Sequence, residues 1–360
     1  MKPISWLKYL SLPTALFVST LPFQSVHAAK PSHLEHPHSA GTFMIEAMAM
    51  RMNMEGLRAG TSDVNDANAL AIGGQYNHAM VPTEMTMDMF MLMPMYNFTK
   101  DTSVMFMFNY LDNNMSMASV DWDGSGNPCA SDMATSGFGD TQVSLSQKFM
   151  DDLFAASIEL NLPTGSTDET VDMKMLMGTP AMCHDHKGMV APYGMQLGSG
   201  TYDITPSVTY LGAYYELRYG AQVSYKYRPG ENDSGYTLGD EAKAKLWVRK
   251  PFSFVTLSGE LDLKRWGDIE GSNSELDEML NMMAPTITHN GGANQTKMKL
   301  SPTLYPSNYG GTLANITIGA NIPVAMAAVG LELTLPIYQD LNGLQMKRSW
   351  TTALSVSAMF

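Results

Sequence analysis

The stretch Glu216-Leu217-Arg218-Tyr219-Gly220-Ala221-Gln222-Val223-Ser224-Tyr225-Lys226-Tyr227-Arg228 alternates between two kinds of residue along its length. In an extended chain Leu217, Tyr219, Ala221, Val223, Tyr225 and Tyr227 share one face, and Glu216, Arg218, Gln222, Ser224, Lys226 and Arg228 share the other. A period of two is a strand's, and about ten residues suffice to cross a bilayer when the strand is tilted. Every charge lies on one face. Soluble sandwiches alternate too, but seldom place so many tyrosines at strand ends, whereas a membrane barrel puts aromatic girdles there.

The same division recurs on both sides of this segment. Tyr202, Ile204, Val208 and Tyr210 oppose Asp203, Thr205, Ser207 and Thr209, and Val255, Leu257, Leu261 and Leu263 oppose Thr256, Ser258, Glu260, Asp262 and Lys264. The fold class expected is all-β: a transmembrane antiparallel β-barrel of about twelve strands, near residues 42-54, 84-98, 103-113, 139-149, 154-163, 201-211, 215-228, 241-250, 254-265, 312-323, 328-338 and 345-360. Short connections at 99-102, 150-152 and 250-252 are assigned to the periplasm. Long ones at 55-83, 114-138, 164-200, 229-240 and 266-311 are assigned to the outside, with 297-305 kept in the last of them because Pro302 and Pro306 interrupt it.

The ends agree with this compartment. Met1 to Ala28 has a charged start (Lys2, Lys8), a short apolar stretch broken by Pro13 and Pro22, and small residues at Val26-His27-Ala28, the pattern of a cleavable signal peptide. Residues 29-41 would form a periplasmic segment and 42-360 the barrel. Trp350, Leu354, Val356, Ala358 and Phe360 fall on one face, the terminal aromatic strand that the barrel assembly machinery receives. Among the 360 residues no later stretch approaches the roughly 18 apolar residues of a spanning helix. Removing Lys2 and Lys8 with the signal takes the net charge from −13 to −15, which concentrates cations at the mouth and makes nucleic acid an unsuitable partner. The partners expected are outer-membrane lipid and a small ion or small-molecule solute, with any periplasmic partner unknown.

Thirty-two methionines are the anomaly, and they are not scattered. Met44, Met48, Met50, Met52 and Met54 share a face of the first strand, Met85, Met87, Met89, Met91, Met93 and Met95 a face of the second, and Met105 and Met107 a face of the third. The opposite faces carry Phe90, Leu92, Tyr96, Val104, Phe106, Phe108 and Tyr110, which suit lipid, so the methionines are predicted to point into the lumen. Glu46 lies with them, and Arg51 and Asp88, on the other face, must then sit at the extracellular rim. Thioethers are soft ligands that favour Cu(I) or Ag(I). The competing reading is that methionine is a flexible apolar filler of an irregular interior.

The third long loop holds Met173, Met175, Met177, Met182-Cys183-His184-Asp185-His186, Met189 and Met195, a plausible transient copper site. Cys183 is open to two readings, a ligand there or a disulfide with Cys129 of the neighbouring loop, these being the two cysteines of the chain. His33, His36 and His38 could bind metal in the periplasm or belong to a solvated tail. Inside the lumen, Lys226, Arg228, Lys243, Lys245, Arg249 and Lys264 would face Glu159, Glu216, Glu241, Glu260 and Asp262. No G-x-S-x-G, H-E-x-x-H or compact acid-histidine-serine cluster is present, so no catalytic residue is assigned and the chain is not read as an enzyme.

Several segments resemble one known family: Pro82-Thr83-Glu84-Met85-Thr86-Met87-Asp88-Met89, Ser136-Gly137-Phe138-Gly139-Asp140, Leu162-Pro163-Thr164-Gly165-Ser166, Pro192 to Gly200, Asn308-Tyr309-Gly310-Gly311 and Leu335 to Gly343. They look like the methionine-rich branch of the phenol meta-pathway degradation-like barrels, across nearly the whole chain after the signal. The resemblance implies an outer-membrane barrel of a Gram-negative bacterium, labelled a transporter and associated with copper handling. The residues and the resemblance together lead to a channel or transporter-like barrel for a soft metal ion. Met48, Met50, Met52, Met85, Met87, Met89, Met91, Met93, Met105 and Met107 would form the path, and Met173, Met175, Met177, His184 and His186 the outer site. No cofactor is required, Cu(I) or Ag(I) being transient cargo. The alternative is an uptake channel for aromatic or other hydrophobic small molecules.

Overall fold

The computed structural model describes residues 39-178, 181-289 and 294-360. The expected signal peptide and His33, His36 and His38 lie outside them. Eleven strand elements close into one antiparallel ring: β1 (Phe43–Gly60), β2 (Met80–Asn97), β3 (Thr102–Ser119), β4 (Thr141–Phe149), β5 (Phe154–Leu162), β6 (Asp203–Tyr214), β7 (Leu217–Lys226), β8 (Glu241–Pro251), β9 (Thr256–Trp266), β10 (Gly311–Val324) and β11 (Ala327–Met359). β11 closes the ring by pairing with both β10 and β1.

β11 is a hairpin rather than one long strand. Its first part pairs antiparallel with β10 from Val324↔Ala327 up to Gly311↔Leu341, and its second with β1 from Ala59↔Leu344 down to Met44↔Met359. The chain reverses at Asn342-Gly343, where Gly343 has φ +61° and a Cβ would sit 1.9 Å from the Asn308 side-chain oxygen. The wall is therefore crossed twelve times, and an all-antiparallel ring closes only with an even number of crossings.

The outward faces carry the predicted apolar residues. Phe90, Leu92, Phe106, Phe108, Leu257 and Val356 are all exposed, as a wall facing hydrocarbon must be. Arg51 and Asp88 sit on this outer face and neutralise each other through a two-toothed bond of 2.6 Å per contact.

The long connections are more ordered than the sequence suggested. β1, β2 and β3 rise beyond their predicted ends, and Ala130–Phe138, assigned to a loop, pairs with the top of β3 while β4 pairs with its base. The two segments meet at Gly139, whose backbone N–H donates to the Asn109 carbonyl and where a Cβ would clash with the Asn109 side chain at 2.0 Å. Thr170–Met177 and Met182–Val190 form a separate hairpin, and Ser274–Met282 is a helix whose first turn is capped by the Asn273 side chain. Residues 297-305 stay outside the ring as expected, with a short 3-10 turn at Pro302–Leu304.

These outer segments fold over the mouth and build the largest apolar core of the molecule. It includes Met85, Met115, Met133, Met173, Met175, Leu176, Met195 and Tyr236, all buried. A barrel wall has no core of its own, so burial of the loop side chains in the mouth supplies it. Within this plug Tyr193 packs edge-on to Tyr236 and Tyr309, and burial pushes the Tyr236 hydroxyl up to about 12.

Candidate functional site

Pairing between β1 and β2 places methionine opposite methionine at five levels: Met44↔Met95, Met48↔Met91, Met50↔Met89, Met52↔Met87 and Met54↔Met85. At the sixth level Glu46 is opposite Met93. Directly opposed residues share a face with Cβ atoms about 4.5–5.5 Å apart, and successive levels are about 7 Å apart, so the sulfurs form a ladder two side chains wide. β3 extends its ends: Met105 is opposite Met95 at the base, and Met115 opposite Met85 at the top, with Met133 of Ala130–Phe138 next in the same row.

Below the plug lies a lumenal cavity of about 590 Å³ with two unlike walls. Met44, Met48, Met50, Met52, Met89, Met91, Met93, Met105 and Met107 line one side together with Glu46. Met48 and Met93 are buried, with Met91, Met105 and Met107 packed against them. Glu159, Lys226, Glu241, Lys243, Lys245, Glu260, Asp262 and Lys264 line the other side, and Arg348 enters from the part of β11 that pairs with β1. There Glu241 is ion-paired to both Lys243 and Lys264, Lys245 lies 3.1 Å from Glu260, and the Asn315 amide donates to Asp262 at 3.2 Å.

Of the predicted path, Met85 and Met87 are the exceptions. Met85 is buried in the plug and Met87 packs against it, because the loops descend over the top two levels of the ladder. Met173 and Met175 are also in the plug, Met177 ends their strand opposite Met182, and His184 and His186 lie on the outer strand of the hairpin with rings 6.4 Å apart. Cys129 and Cys183 are bonded, with Cα atoms 5.7 Å apart, so neither offers a thiolate.

Three placements on the lumenal side differ from the sequence reading. Glu216 is not in the lumen: it is exposed in the tight turn between β6 and β7, beyond the last pleated residue. Arg228 sits above β7, 3.3 Å from the buried Asp203, and is not part of the cavity wall. Trp350, expected on one face with Leu354, Val356 and Phe360, instead lines the cavity beside a register shift that opposes Asn53 to Trp350 but Met54 to Arg348, leaving Ser349 as the extra residue. That bulge also brings in Arg348, which strict alternation from Lys347 could not locate. The plug methionines Met115 and Met117 were legible in principle, since they continue the spacing of Met105 and Met107 along β3.

Among the described residues no three His, Cys, Asp or Glu side chains form a group that could hold a metal ion.

No protein-family model and no curated protein matches the chain. Solved structures do. An outer-membrane channel from Pseudomonas putida F1 is 12% identical with a TM-score of 0.54, over 92% of this chain and 100% of that one. The toluene transporter TodX of Pseudomonas putida is 8% identical, TM-score 0.44, over 93% of this chain and 94% of that one, and the CymD monoaromatic hydrocarbon channel is 7% identical, TM-score 0.45, over 91% and 90%. At such identities the first likeness establishes the fold. The chain is a closed β-barrel of the kind that sits in the outer membrane of Gram-negative bacteria.

Proposed function

We propose that the barrel is a channel for a soft monovalent cation, Cu(I) or Ag(I), which moves by exchange between neighbouring thioethers. The observation that carries this reading is the ladder: methionine opposite methionine at five of six successive levels of β1 and β2, continued through the buried Met115 and Met133 into the plug. A filler needs volume, which leucine supplies with better-defined rotamers, and has no need of sulfur on every inward position. Methionine's three rotatable bonds let a sulfur reach from one level to the next, so a bound ion keeps a ligand as it moves. Passage by ligand exchange also needs no water-filled bore, which accommodates the packed mouth. The resemblance to methionine-rich barrels associated with copper handling supports the same reading.

A second reading, passage of a small aromatic or other hydrophobic solute, is favoured by the cavity itself. Its volume of about 590 Å³ lies in the range of small-molecule sites, and its thioether wall is apolar. Ag(I) entry into liposomes containing the refolded barrel separates the two. The metal reading expects flux that falls when Met48, Met50, Met89 and Met91 are all changed to leucine. Equal flux through both proteins, with toluene entry retained, would support the solute channel.

A further inference from the structure

The outer hairpin is packed as a lid, but its register does more than close the mouth. Met173 is directly opposite His186, and Met175 directly opposite His184. Opposed residues of an antiparallel pair project to the same face, so two imidazoles and two thioethers share one face of a two-stranded sheet. The other face is identified independently by Lys174 and Asp185, also opposed, which form an ion pair at 4.0 Å and are exposed. The four donors grade from solvent to core: His184 is exposed and His186 half-buried, whereas Met173 and Met175 are buried. Beneath them, in the same apolar cluster, lie Met133, Met115 and Met85, the top row of the ladder.

The hairpin is held in place over that row. The Cys129–Cys183 bond ties its outer strand to the neighbouring loop, and the Lys174 backbone N–H donates to the Ser131 hydroxyl at 2.9 Å.

We infer that this face is a copper-binding entry site, with His184 and His186 as the outer ligands and Met173 and Met175 as the inner ones. Imidazole and thioether both bind Cu(I), and thioether selects it over harder ions, so the set would take copper that arrives as Cu(I) and hold it from the surface to the core side with no change of oxidation state. The site would bind copper whether or not the lumen conducts. Its role as an entry rests on the channel reading above.

The test uses the full refolded chain in detergent, with Cu(I) delivered in competition with a chromogenic chelator and the ligand shell read by X-ray absorption. Three proteins are compared: the wild type, the doubly substituted His184→Ala/His186→Ala, and the lumen variant with leucine at 48, 50, 89 and 91. His184 is exposed and His186 half-buried, so the fold of the histidine variant is checked by urea unfolding beside the wild type. The inference expects a mixed nitrogen and sulfur shell in the wild type. The histidine variant should lose the nitrogen component and weaken one binding step by about 10–100-fold, the scale set by removing even a ligand's outer partner. The lumen variant should keep the nitrogen component. A nitrogen-free shell in the wild type, or unchanged binding in the histidine variant, overturns the entry site. If instead binding is unchanged in the lumen variant alone, the channel reading fails and the entry site stands.

Discussion

The two walls of the lumen face each other across one cavity and are built on opposite principles. On β1, β2 and β3 the inward side chains that line the cavity are thioethers, adaptable in shape, with the carboxylate of Glu46 among them. On β7, β8 and β9 they are lysines and carboxylates that neutralise one another, with Glu241 held between Lys243 and Lys264 and Glu260 beside Lys245. The charged wall is a closed account in which each group's desolvation depends on its partner. The methionine wall depends on no single member, and so has little structural reason to be methionine at each position.

Stability should expose this asymmetry most strongly at Glu241. Glu241→Ala leaves two lysines unpaired in a poorly solvated wall, and a loss of about 3–5 kcal/mol is expected, measured by urea unfolding of the refolded barrel. A loss well under 1 kcal/mol, as for a surface pair, would mean that the wall is well hydrated and the contrast between the walls is small.

Acid provides the next largest effect and separates the plug from the ladder below it. His78, buried in the outer cap, has a ring nitrogen 2.9 Å from the Leu300 carbonyl oxygen and an edge contact with Tyr305. Burial is the main cause that lowers its pKa from 6.5 to about 4, aided by nearby Lys299. The folded cap therefore binds fewer protons than the unfolded one between those values. Its stability from this source is complete above pH 6.5 and falls as pH drops towards 4, by about 3 kcal/mol over the full window. Hydrogen-exchange protection across residues 61-79 and 297-309, taken relative to the intrinsic amide rate at each pH, should fall between pH 7 and 4.5, with the protection of β1 and β2 unchanged, and His78→Gln should abolish the change.

The smallest stability effect belongs to the methionine wall. Each Met→Leu change at 48, 50, 89 or 91 conserves volume, so less than about 1.5 kcal/mol per site is expected from the same urea titration. Larger losses would show that these side chains are packed as tightly as a core and would weaken the case that sulfur is their purpose.

Much of this architecture was legible because barrel strands repeat with period two. The parity of Met44 to Met54 and of Met85 to Met95, set against Phe90 and Leu92, gave the wall and the direction of each face. Parity ends where the pleat ends, and there the reading failed. Glu216 shares the parity of Lys226 but lies in a turn, and the bulge at Ser349 turns Trp350 and Arg348 to positions no alternation indicates. The plug was illegible for a different reason. Met85 and Met87 occupy the same face as Met89, and only the descent of segments distant in sequence, Met173 and Met195 among them, decides which are buried in packing and which meet the lumen. Non-local burial of that kind leaves no local periodicity to read.

The central claim is that the sulfurs of the lumen are ligands. Its most direct test is equilibrium binding of Ag(I) to the refolded barrel, compared with the protein carrying leucine at Met48, Met50, Met89 and Met91. Loss of thioether-type binding from the lumen, with folding and stability nearly intact, is the predicted result. Binding of equal tightness and stoichiometry in both proteins would contradict the claim and reduce the ladder to packing.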